Sequence, residues 1–266
     1  MPTHCMRIVK IPTCHSVRKC IGAELAPDRV LQMTNELFLS EDGCLPMFET
    51  EEVKITGTIE ETKKNIFAKA AETLQKTTKP LFLGGDHSIS TSLVKAFSSQ
   101  YQNPGIIIFD AHPDANNDFM PEGEDDLLLA LVNQNIIRPS NIILVGTRNW
   151  DKTEIEFLQK YKIKYFPMKE IAAEGVQEIS ESIMAAAKGF GALYISIDID
   201  VLDPAFAPGT GYPEPGGLTT RELLFFLHRL KRMHNLKAFD LVEINPNRDM
   251  NDMTSKVGAK ILVELC

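Results

Sequence analysis

The chain has 266 residues and a formal net charge of −8 at pH 7. A balance this acidic argues against a nucleic-acid-binding protein and is compatible with a small cationic substrate. No apolar run reaches the roughly 20 residues that a transmembrane helix needs, which argues against a membrane protein. The length suits one large α/β domain over residues 1–266.

Five cysteines are scattered along the sequence without a CxxC pair: Cys5, Cys14, Cys20, Cys44 and Cys266. An odd number of dispersed cysteines suits a reducing compartment better than a disulfide framework. The first residues, MPTHCMRIVKIP, lack the long apolar core of a signal peptide. We therefore expect a cytoplasmic protein.

Apolar, β-branched runs alternate along the chain with helical patterns. Strands are predicted at residues 7–11, 52–55, 80–83, 106–110, 142–146, 163–166, 193–198 and 238–243. Helices are predicted at residues 59–75, 90–99, 125–134, 153–160, 176–188, 219–233 and 254–265. Such alternation predicts an α/β protein with a mainly parallel sheet of roughly eight strands, covered by helices on both faces.

Three acidic segments stand where predicted strands end: GGDHS at 84–88, DAHPD at 110–114 and SIDIDVLDP at 196–204. They contain imidazoles and carboxylates that can bind metal: His87, Asp110, His112, Asp114, Asp198 and Asp200. In open α/β sheets, binding sites form outside the carboxyl ends of strands. We therefore expect these side chains to meet at one edge of the sheet.

The spacing within the two later segments favours a shared site. Residues two apart on an extended chain point to the same side. Asp110, His112 and Asp114 are therefore expected to face one side together as their strand leaves the sheet. Asp198 and Asp200 are expected to repeat the arrangement.

A simpler interpretation exists for each residue taken alone. A single aspartate after a strand is usually a helix cap or a turn residue, and Asp86 fits that description. A whole cluster at one end of a buried sheet would, however, repel itself without a cation. We therefore predict two divalent metals. The mostly hard ligands favour Mn²⁺, while Zn²⁺, Fe²⁺ and Co²⁺ are also compatible.

The same segments resemble the signatures of the ureohydrolases, the arginase and agmatinase family. GGDHS, DAHxD and SxDxDxxDPxxxPGTGxPxxGGLT are matched here, and the resemblance runs from Ile11 to about Glu264. It implies a binuclear manganese centre in a three-layer α/β/α fold. It also implies a metal-bridging hydroxide that attacks a guanidinium carbon and releases urea.

The resemblance also implies a ligand set. Carried over by position, one manganese is bound by His87, Asp110, Asp114 and Asp198. The other is bound by Asp110, His112, Asp198 and Asp200, so that Asp110 and Asp198 bridge the two ions. Asp114 is placed to accept a hydrogen bond from the hydroxide.

The guanidinium of such a substrate needs a carboxylate opposite the metals. Glu243 fits this role because it ends the last predicted strand, and a carboxylate can bind guanidinium in bidentate fashion. The family has a glutamate at this position. The simpler alternative is a helix-capping or solvated residue.

Several details resemble arginases more than agmatinases. They are EINP at 243–246, Asn116, and a stretch with Arg148, Asp151 and Glu154. We include Glu154 with Asn116 and Asp151 among the candidate substrate-binding residues. The resemblance implies that Asn116 contacts the α-carboxylate and Asp151 the α-amino group of an amino-acid substrate. A turn for Asn116 and a helix cap for Asp151 are the simpler alternatives. We predict hydrolysis of L-arginine to L-ornithine and urea, with agmatinase or guanidino-acid (amidino) hydrolase activity as the alternative.

Two departures from the family pattern affect catalysis and specificity. No histidine lies between His112 and His228, although the family carries a proton-shuttling histidine downstream of DAHxD. Glu122 or His15 could substitute, and an exposed loop residue is the simpler interpretation of His15. Tyr212 stands where the family usually has threonine, and its bulk could reshape the pocket.

The lost histidine also keeps open a third possibility, a metal-binding but catalytically silent relative with a regulatory role. Intact ligands argue against it, since clustered carboxylates without a function are costly to folding. The resemblance further implies a homo-oligomer, either a trimer or a hexamer.

Overall fold

The computed structural model describes residues 3–15, 20–116 and 127–266. Strands in these residues form one eight-stranded sheet: β1 (Thr3–Ile11), β2 (Leu45–Glu52), β3 (Leu81–Gly84), β4 (Pro104–Phe109), β5 (Ile142–Val145), β6 (Lys164–Phe166), β7 (Ala192–Asp198) and β8 (Leu236–Val242). The strand order is β2-β1-β3-β8-β7-β4-β5-β6, and every neighbouring pair is parallel. The predicted sheet is confirmed.

Helices cover both faces of the sheet: α1 (Ala26–Thr34), α2 (Ile59–Lys76), α3 (Ser88–Ser98), α4 (Leu127–Asn133), α5 (Lys152–Tyr161), α6 (Met168–Glu174), α7 (Val176–Ala187), α8 (Thr220–Leu230) and α9 (Met253–Leu265). Helices α1, α6, α7, α8 and α9 pack on one face, and α2, α3, α4 and α5 on the other. The result is the three-layer α/β/α arrangement. Within the described residues, none of the helices has the length and apolarity to span a membrane.

Separate apolar clusters bury the two faces of the sheet. On β3, Leu81 and Leu83 belong to one cluster, and Phe82 between them belongs to the other. All three side chains are fully buried. Burying a side chain of this size contributes about 1.5–3 kcal/mol. Burial on both faces explains why the central strands form continuous apolar runs instead of an alternating pattern.

Side-chain caps set where the long helices begin. Thr58 caps α2 by accepting a hydrogen bond from the backbone N–H of Glu61. Thr219 and Glu222 form a reciprocal capping box at α8. These contacts satisfy N–H groups that the first turn of a helix leaves without partners. Both helices consequently start within about one residue of their predicted positions.

The second strand was predicted in the wrong place. The sequence pattern favours residues 52–55, but β2 covers Leu45–Glu52. This strand stands at the edge of the sheet, where Arg7 of β1 donates hydrogen bonds to Glu49 and Glu51. Much of β2 faces solvent, so its charged sequence lacks the apolar run by which a buried strand is recognised.

The sequence pattern also misses α1 and α6. Helix α1 buries Ala26, Pro27, Val30 and Met33, with Pro27 in its first turn, a position that a helix tolerates. Helix α6 is only 7 residues long and buries Ile171 alone. Short helices with few apolar residues give a weak periodic signal. The predicted helix at 125–134 corresponds to α4, and its first two residues lie outside the described part of the chain.

The topology brings the acidic segments together. Strands β3, β8, β7 and β4 are consecutive neighbours in the sheet. Gly84 ends β3 shortly before His87, Phe109 ends β4 just before Asp110, and Asp198 ends β7. Because these strands are parallel, their carboxyl ends share one edge, where α/β proteins form their sites.

We predict that Gly85→Ala will destabilise the fold at this edge. A Cβ at Gly85 would lie 1.9 Å from the carbonyl oxygen of Thr13, so the backbone has to shift. The expected loss in the free energy of unfolding is about 1–3 kcal/mol, measured by urea denaturation. Gly57→Ala is the matched control, because a Cβ there meets no atom within 4 Å. Equal stability of the two variants would contradict the packing argument.

Candidate metal centre

The candidate ligands form two overlapping groups at the carboxyl edge of the sheet. One group contains His87, Asp110 and Asp198, and the other contains Asp110, His112 and Asp200. Within each group the possible ligand atoms all lie within 4.8 Å of one another. Asp110 belongs to both groups.

The imidazole of His87 faces three carboxylates. Its Nδ1 lies 3.2 Å from Oδ2 of Asp110, 3.0 Å from Oδ2 of Asp114 and 3.3 Å from Oδ2 of Asp198. Among the described residues this buried nitrogen has no partner in hydrogen-bonding geometry. A buried nitrogen that faces several carboxylates without a hydrogen bond fits a cation placed between them.

His112 organises the second group. Its Nδ1 lies 3.0 Å from Oδ2 of Asp200 and 3.6 Å from Oδ1 of Asp110. Asp110 therefore turns Oδ2 toward His87 and Oδ1 toward His112, an orientation that suits a carboxylate bridging two metals. Asp198 lies with the first group, and its bridging role stays a prediction.

The candidate ligands are brought together by turns in the backbone and not by continued extended strands. Strand β4 ends at Phe109, and Asp114 has a left-handed φ of 53°. After Asp198 the chain forms a 3-10 turn over Ile199–Val201, in which Oδ1 of Asp198 accepts a 2.8 Å hydrogen bond from the N–H of Asp200. The predicted alternation along an extended chain is therefore wrong, although the residues meet.

The charges of the centre are set by burial and by mutual repulsion. Burial, followed by repulsion from neighbouring aspartates, raises the pKa of Asp110 and of Asp198. Burial opposes the charged form of His112, but Asp200 and Asp110 raise its pKa to about 12. Without a cation, the cluster therefore holds protons that offset its carboxylates. Metal binding displaces such protons, so the donor set fits a divalent metal.

Glu243 lies directly beside the first group. It follows β8 with a left-handed φ of 64°, and its N–H donates to the carbonyl oxygen of Gly85 at 2.8 Å. Its Oε1 accepts a 2.7 Å hydrogen bond from the N–H of His87. Burial and the nearby Asp86 raise its pKa to about 8. The side chain is only 8% exposed, so the alternative of a solvated residue is excluded.

His15 is tied to the same region through Asp86. The N–H of His15 donates to Oδ2 of Asp86 at 2.6 Å, and Oδ1 of Asp86 accepts a 2.7 Å bond from Ser88. The ring Nε2 lies 3.0 Å from Oγ1 of Thr13. The ring is partly buried, which lowers its pKa. His15 is therefore not an exposed loop residue, and its role as a proton carrier stays a prediction. Glu122 lies outside the described residues.

The predicted substrate-binding residues Asn116 and Asp151 are in contact. Nδ2 of Asn116 donates a hydrogen bond to Oδ2 of Asp151. Asp151 also caps α5 in a capping box with Glu154, so the simpler interpretation of Asp151 is confirmed. Both carboxylate oxygens of Glu154 accept backbone N–H groups, from Ala115 at 3.2 Å and from Asp151 at 3.0 Å.

Tyr212 packs edge-on against a candidate ligand. Its ring centroid lies 6.1 Å from that of His112, with an angle of 74° between the ring planes. Tyr212 is 37% exposed. The phenol therefore occupies space beside the second group, where it can limit the size of a substrate.

Arg148, part of the stretch that resembles arginases, is a positioning residue. Its guanidinium donates 2.7 Å hydrogen bonds to the carbonyl oxygens of Asp200 and Glu214, and further bonds to those of Val201 and Leu202. It therefore joins the turn that carries Asp200 to the loop of residues 204–218, which is rich in Pro and Gly.

The sheet topology and the paired groups of imidazoles and carboxylates are those of a metal-dependent enzyme with a three-layer α/β/α fold. The sequence model of the Arginase family matches residues 5–266, and the chain belongs to that family. It is a hydrolase of the class that acts on linear amidines.

Relatives with different names share this fold. An arginase from Staphylococcus aureus (strain MSSA476) is 31% identical over 294 residues, which cover 98% of this chain and 96% of that protein. An arginase structure from Bacillus subtilis superposes with a TM-score of 0.86 at 24% identity, covering 98% of both chains. A formimidoylglutamase structure from Bacillus subtilis subsp. subtilis str. 168 gives 0.89 at 26% identity, covering 100% of this chain and 87% of that one. The comparisons therefore establish the family of this chain but do not identify its substrate.

We predict that Asp198→Ala will lose bound metal. The substitution removes a carboxylate whose Oδ2 lies 3.3 Å from Nδ1 of His87. The expected result is a loss of at least one equivalent of Mn²⁺, measured by elemental analysis after gel filtration. Asp42→Ala is the control, since Asp42 is exposed and pairs with Lys231 at the surface. Unchanged metal content in Asp198→Ala would overturn the ligand assignment.

Proposed function

We propose that the protein is a binuclear manganese-dependent hydrolase that converts L-arginine to L-ornithine and urea. The observation that carries the proposal is the shared carboxylate of Asp110, which faces both imidazoles, with Glu243 buried alongside. A small cationic guanidino compound is the expected substrate, in agreement with family membership.

We assign the first manganese to His87, Asp110, Asp114 and Asp198. The second is assigned to Asp110, His112, Asp198 and Asp200. When bound, two such metals supply a nucleophile at neutral pH by lowering the pKa of water from about 15.7 to about 7. The hard oxygen ligands support Mn²⁺ over softer metals.

Asp114 is the carboxylate best suited to hold the attacking water. Its side chain is 28% exposed, whereas those of Asp110, Asp198 and Asp200 are between 2% and 5% exposed. Solvent therefore reaches Asp114 more easily than the other carboxylates. A hydrogen bond to Asp114 would orient the water toward the substrate.

Glu243 is proposed to bind the guanidinium. A carboxylate can accept two parallel hydrogen bonds from a guanidinium, which fixes the orientation of the planar group. In the free protein burial raises the pKa of Glu243 to about 8. A cationic substrate would favour its ionised form, because an opposite charge nearby lowers the pKa of a carboxyl group.

The contact between Asn116 and Asp151 supports an amino-acid substrate. Together they offer an amide and a carboxylate, which suit an α-carboxylate and an α-amino group. Glu154 uses both oxygens for backbone N–H groups, so we assign it the role of holding Asp151 in place. The third proposed specificity residue is Tyr212, which narrows the space beside His112.

A second candidate function uses the same centre with another amidine. The similarity to a formimidoylglutamase and the bulk of Tyr212 beside His112 favour it. Agmatine is a further candidate within this class. The absence of a histidine between His112 and His228 favours the third candidate, a silent regulatory relative.

We further propose a cytoplasmic homo-oligomer, either a trimer or a hexamer. The cytoplasmic location is supported by the cysteines, which form no disulfide bond within the described residues: Cys5, Cys14, Cys20, Cys44 and Cys266. The oligomer is an expectation from the family. Gel filtration with light scattering measures it directly, and a monomer would refute it.

Urea release by the manganese-loaded protein tests the proposed function. The substrates are L-arginine, agmatine, shorter guanidino acids and N-formimidoyl-L-glutamate, with consumption of each followed alongside urea. We expect urea from L-arginine. Turnover of another compound alone would keep the metal centre and reject the amino-acid pocket of Asn116 and Asp151. No turnover with two metals bound would favour the silent relative.

Glu243→Gln tests whether Glu243 binds the guanidinium. The variant should abolish turnover and retain both metals, because the amide keeps the size of the side chain but loses the charge that holds the guanidinium. Glu178→Gln, at an exposed position of α7, is the matched control. Near-normal turnover by Glu243→Gln would remove Glu243 from the guanidinium role.

The two proposed proton carriers, His15 and Glu122, are distinguished by pH–rate profiles. A proton donor has to be protonated, so kcat/KM, which reports the pKa values of the free enzyme, should fall as the pH rises through the pKa of the donor. Because burial lowers the pKa of His15, a limb caused by this residue should lie below the ordinary histidine value of about 6.5. His15→Ala should remove that limb. If neither His15→Ala nor Glu122→Gln changes the profile, both assignments fail.

A further inference from the structure

A buried carboxylate on β8 is surrounded by three hydroxyl groups. Asp240 is fully buried, and its Oδ2 accepts hydrogen bonds from Ser90 at 2.8 Å and Tyr194 at 2.9 Å. Its Oδ1 accepts a 2.7 Å hydrogen bond from Ser196. Oγ of Ser196 also lies 3.0 Å from Nε2 of His87. Asp240 is thereby connected to the metal centre through one hydroxyl group.

The direction of these hydrogen bonds follows from the number of protons available. An ionised carboxylate only accepts, and each hydroxyl group has a single proton. Ser196 gives its proton to Asp240, so toward His87 it can only accept. Nε2 of His87 therefore donates a hydrogen bond to Ser196, which leaves Nδ1 as the ring nitrogen that faces Asp110, Asp114 and Asp198.

This tautomer is the one that metal binding requires. A neutral imidazole has one protonated and one unprotonated nitrogen, and the hydrogen bond made by the first decides which nitrogen can bind metal. The opposite tautomer would leave Nε2 without a proton to donate to Ser196. The hydrogen bonds from Nε2 to Ser196 and from Ser196 to Asp240 therefore keep a proton on Nε2, so that Nδ1 is the nitrogen that can give up its proton and bind metal.

The second imidazole has a different environment. Nε2 of His112 lies 4.0 Å from Oε1 of Glu214, beyond hydrogen-bonding distance. The same oxygen of Glu214 accepts a 2.8 Å hydrogen bond from Asn149. The side chain of His112 is 22% exposed, compared with 8% for His87. Of the two candidate imidazole ligands, only His87 is therefore linked by a hydrogen bond to the hydroxyl groups around Asp240.

We propose that Ser196 and Asp240, supported by Ser90 and Tyr194, form a relay that fixes the His87 tautomer and sets the affinity of one of the two metal positions. The four are positioning residues, since they act through His87. The inference rests on the proposed metal centre. It adds that the two positions are controlled separately, one by the relay and the other by groups at the mouth of the site.

Manganese titration of the intact protein tests the relay, with free Mn²⁺ measured by electron paramagnetic resonance. Removing an outer partner of a ligating histidine typically weakens metal binding about 10- to 100-fold. We expect that loss for one Mn²⁺ equivalent in Ser196→Ala, with the other unchanged. Ser90→Ala should cause a smaller loss at the same position, because Asp240 keeps two donors.

Asp240→Asn is a second, nearly isosteric test. Its amide can donate to Ser196, which frees the Ser196 proton for Nε2 of His87 and allows the wrong tautomer. Weaker binding of the same equivalent is expected. Thr91→Val is the matched control, because Thr91 is the neighbour of Ser90 and its buried hydroxyl has no hydrogen-bond partner within the described ranges. This variant should bind both equivalents like the wild type.

Thermal unfolding in EDTA separates positioning from structural support. A purely structural role would lower Tm in EDTA and leave both affinities unchanged, which would overturn the relay. The relay would also be overturned if Ser196→Ala and Asp240→Asn bound both Mn²⁺ equivalents with wild-type affinity. That result would leave the proposed function intact. Failure of the wild-type protein to bind Mn²⁺ would instead reject the metal centre, and the relay with it.

Discussion

The rest of the structure depends on the concentration of negative charge at one edge of a buried sheet. The side chains of Asp110, Asp198 and Asp200 are each at most 5% exposed. Removing such ions from water costs several kcal/mol each unless an opposite charge offsets the loss. The raised pKa values of Asp110 and Asp198, caused first by burial, are a consequence of that cost. A divalent cation would relieve it, and this agrees with membership of the Arginase family.

The fold holds this charge by surrounding it with fixed backbone. Strands β3, β8, β7 and β4 lie side by side, so that their carboxyl ends supply consecutive walls of the site. Short turns after the strands orient the candidate ligands, and hydrogen bonds hold these turns in place. Arg148 ties the turn of Asp200 to the following loop, and the N–H of Glu243 pairs with the carbonyl oxygen of Gly85. A site built in this way is largely formed before a metal or substrate binds, which lowers the cost of binding.

The site has an inner part and a rim with different tasks. The inner part contains the proposed metal ligands and Glu243, which are mostly buried and would act on the amidine group that substrates of this class share. The rim contains Tyr212 and the pair of Asn116 and Asp151, which we propose would face the variable remainder of a substrate. Arginases and a formimidoylglutamase share the fold of this chain. A division of this kind would allow substrate choice to change at a few rim side chains while the fold stays the same.

The sequence by itself determined the parallel sheet, most of the helices and the set of candidate ligands, because long apolar runs and acidic motifs at strand ends are local signals. It failed for β2, since an exposed edge strand has no apolar run. Only the tertiary structure decided how the ligands are aimed, as the 3-10 turn after Asp198 shows. It also revealed the contacts of Asp240 with Ser196 and of Arg148 with the carbonyl oxygens around it. These contacts join segments far apart in the chain, and no local pattern of residues specifies which distant polar groups will meet.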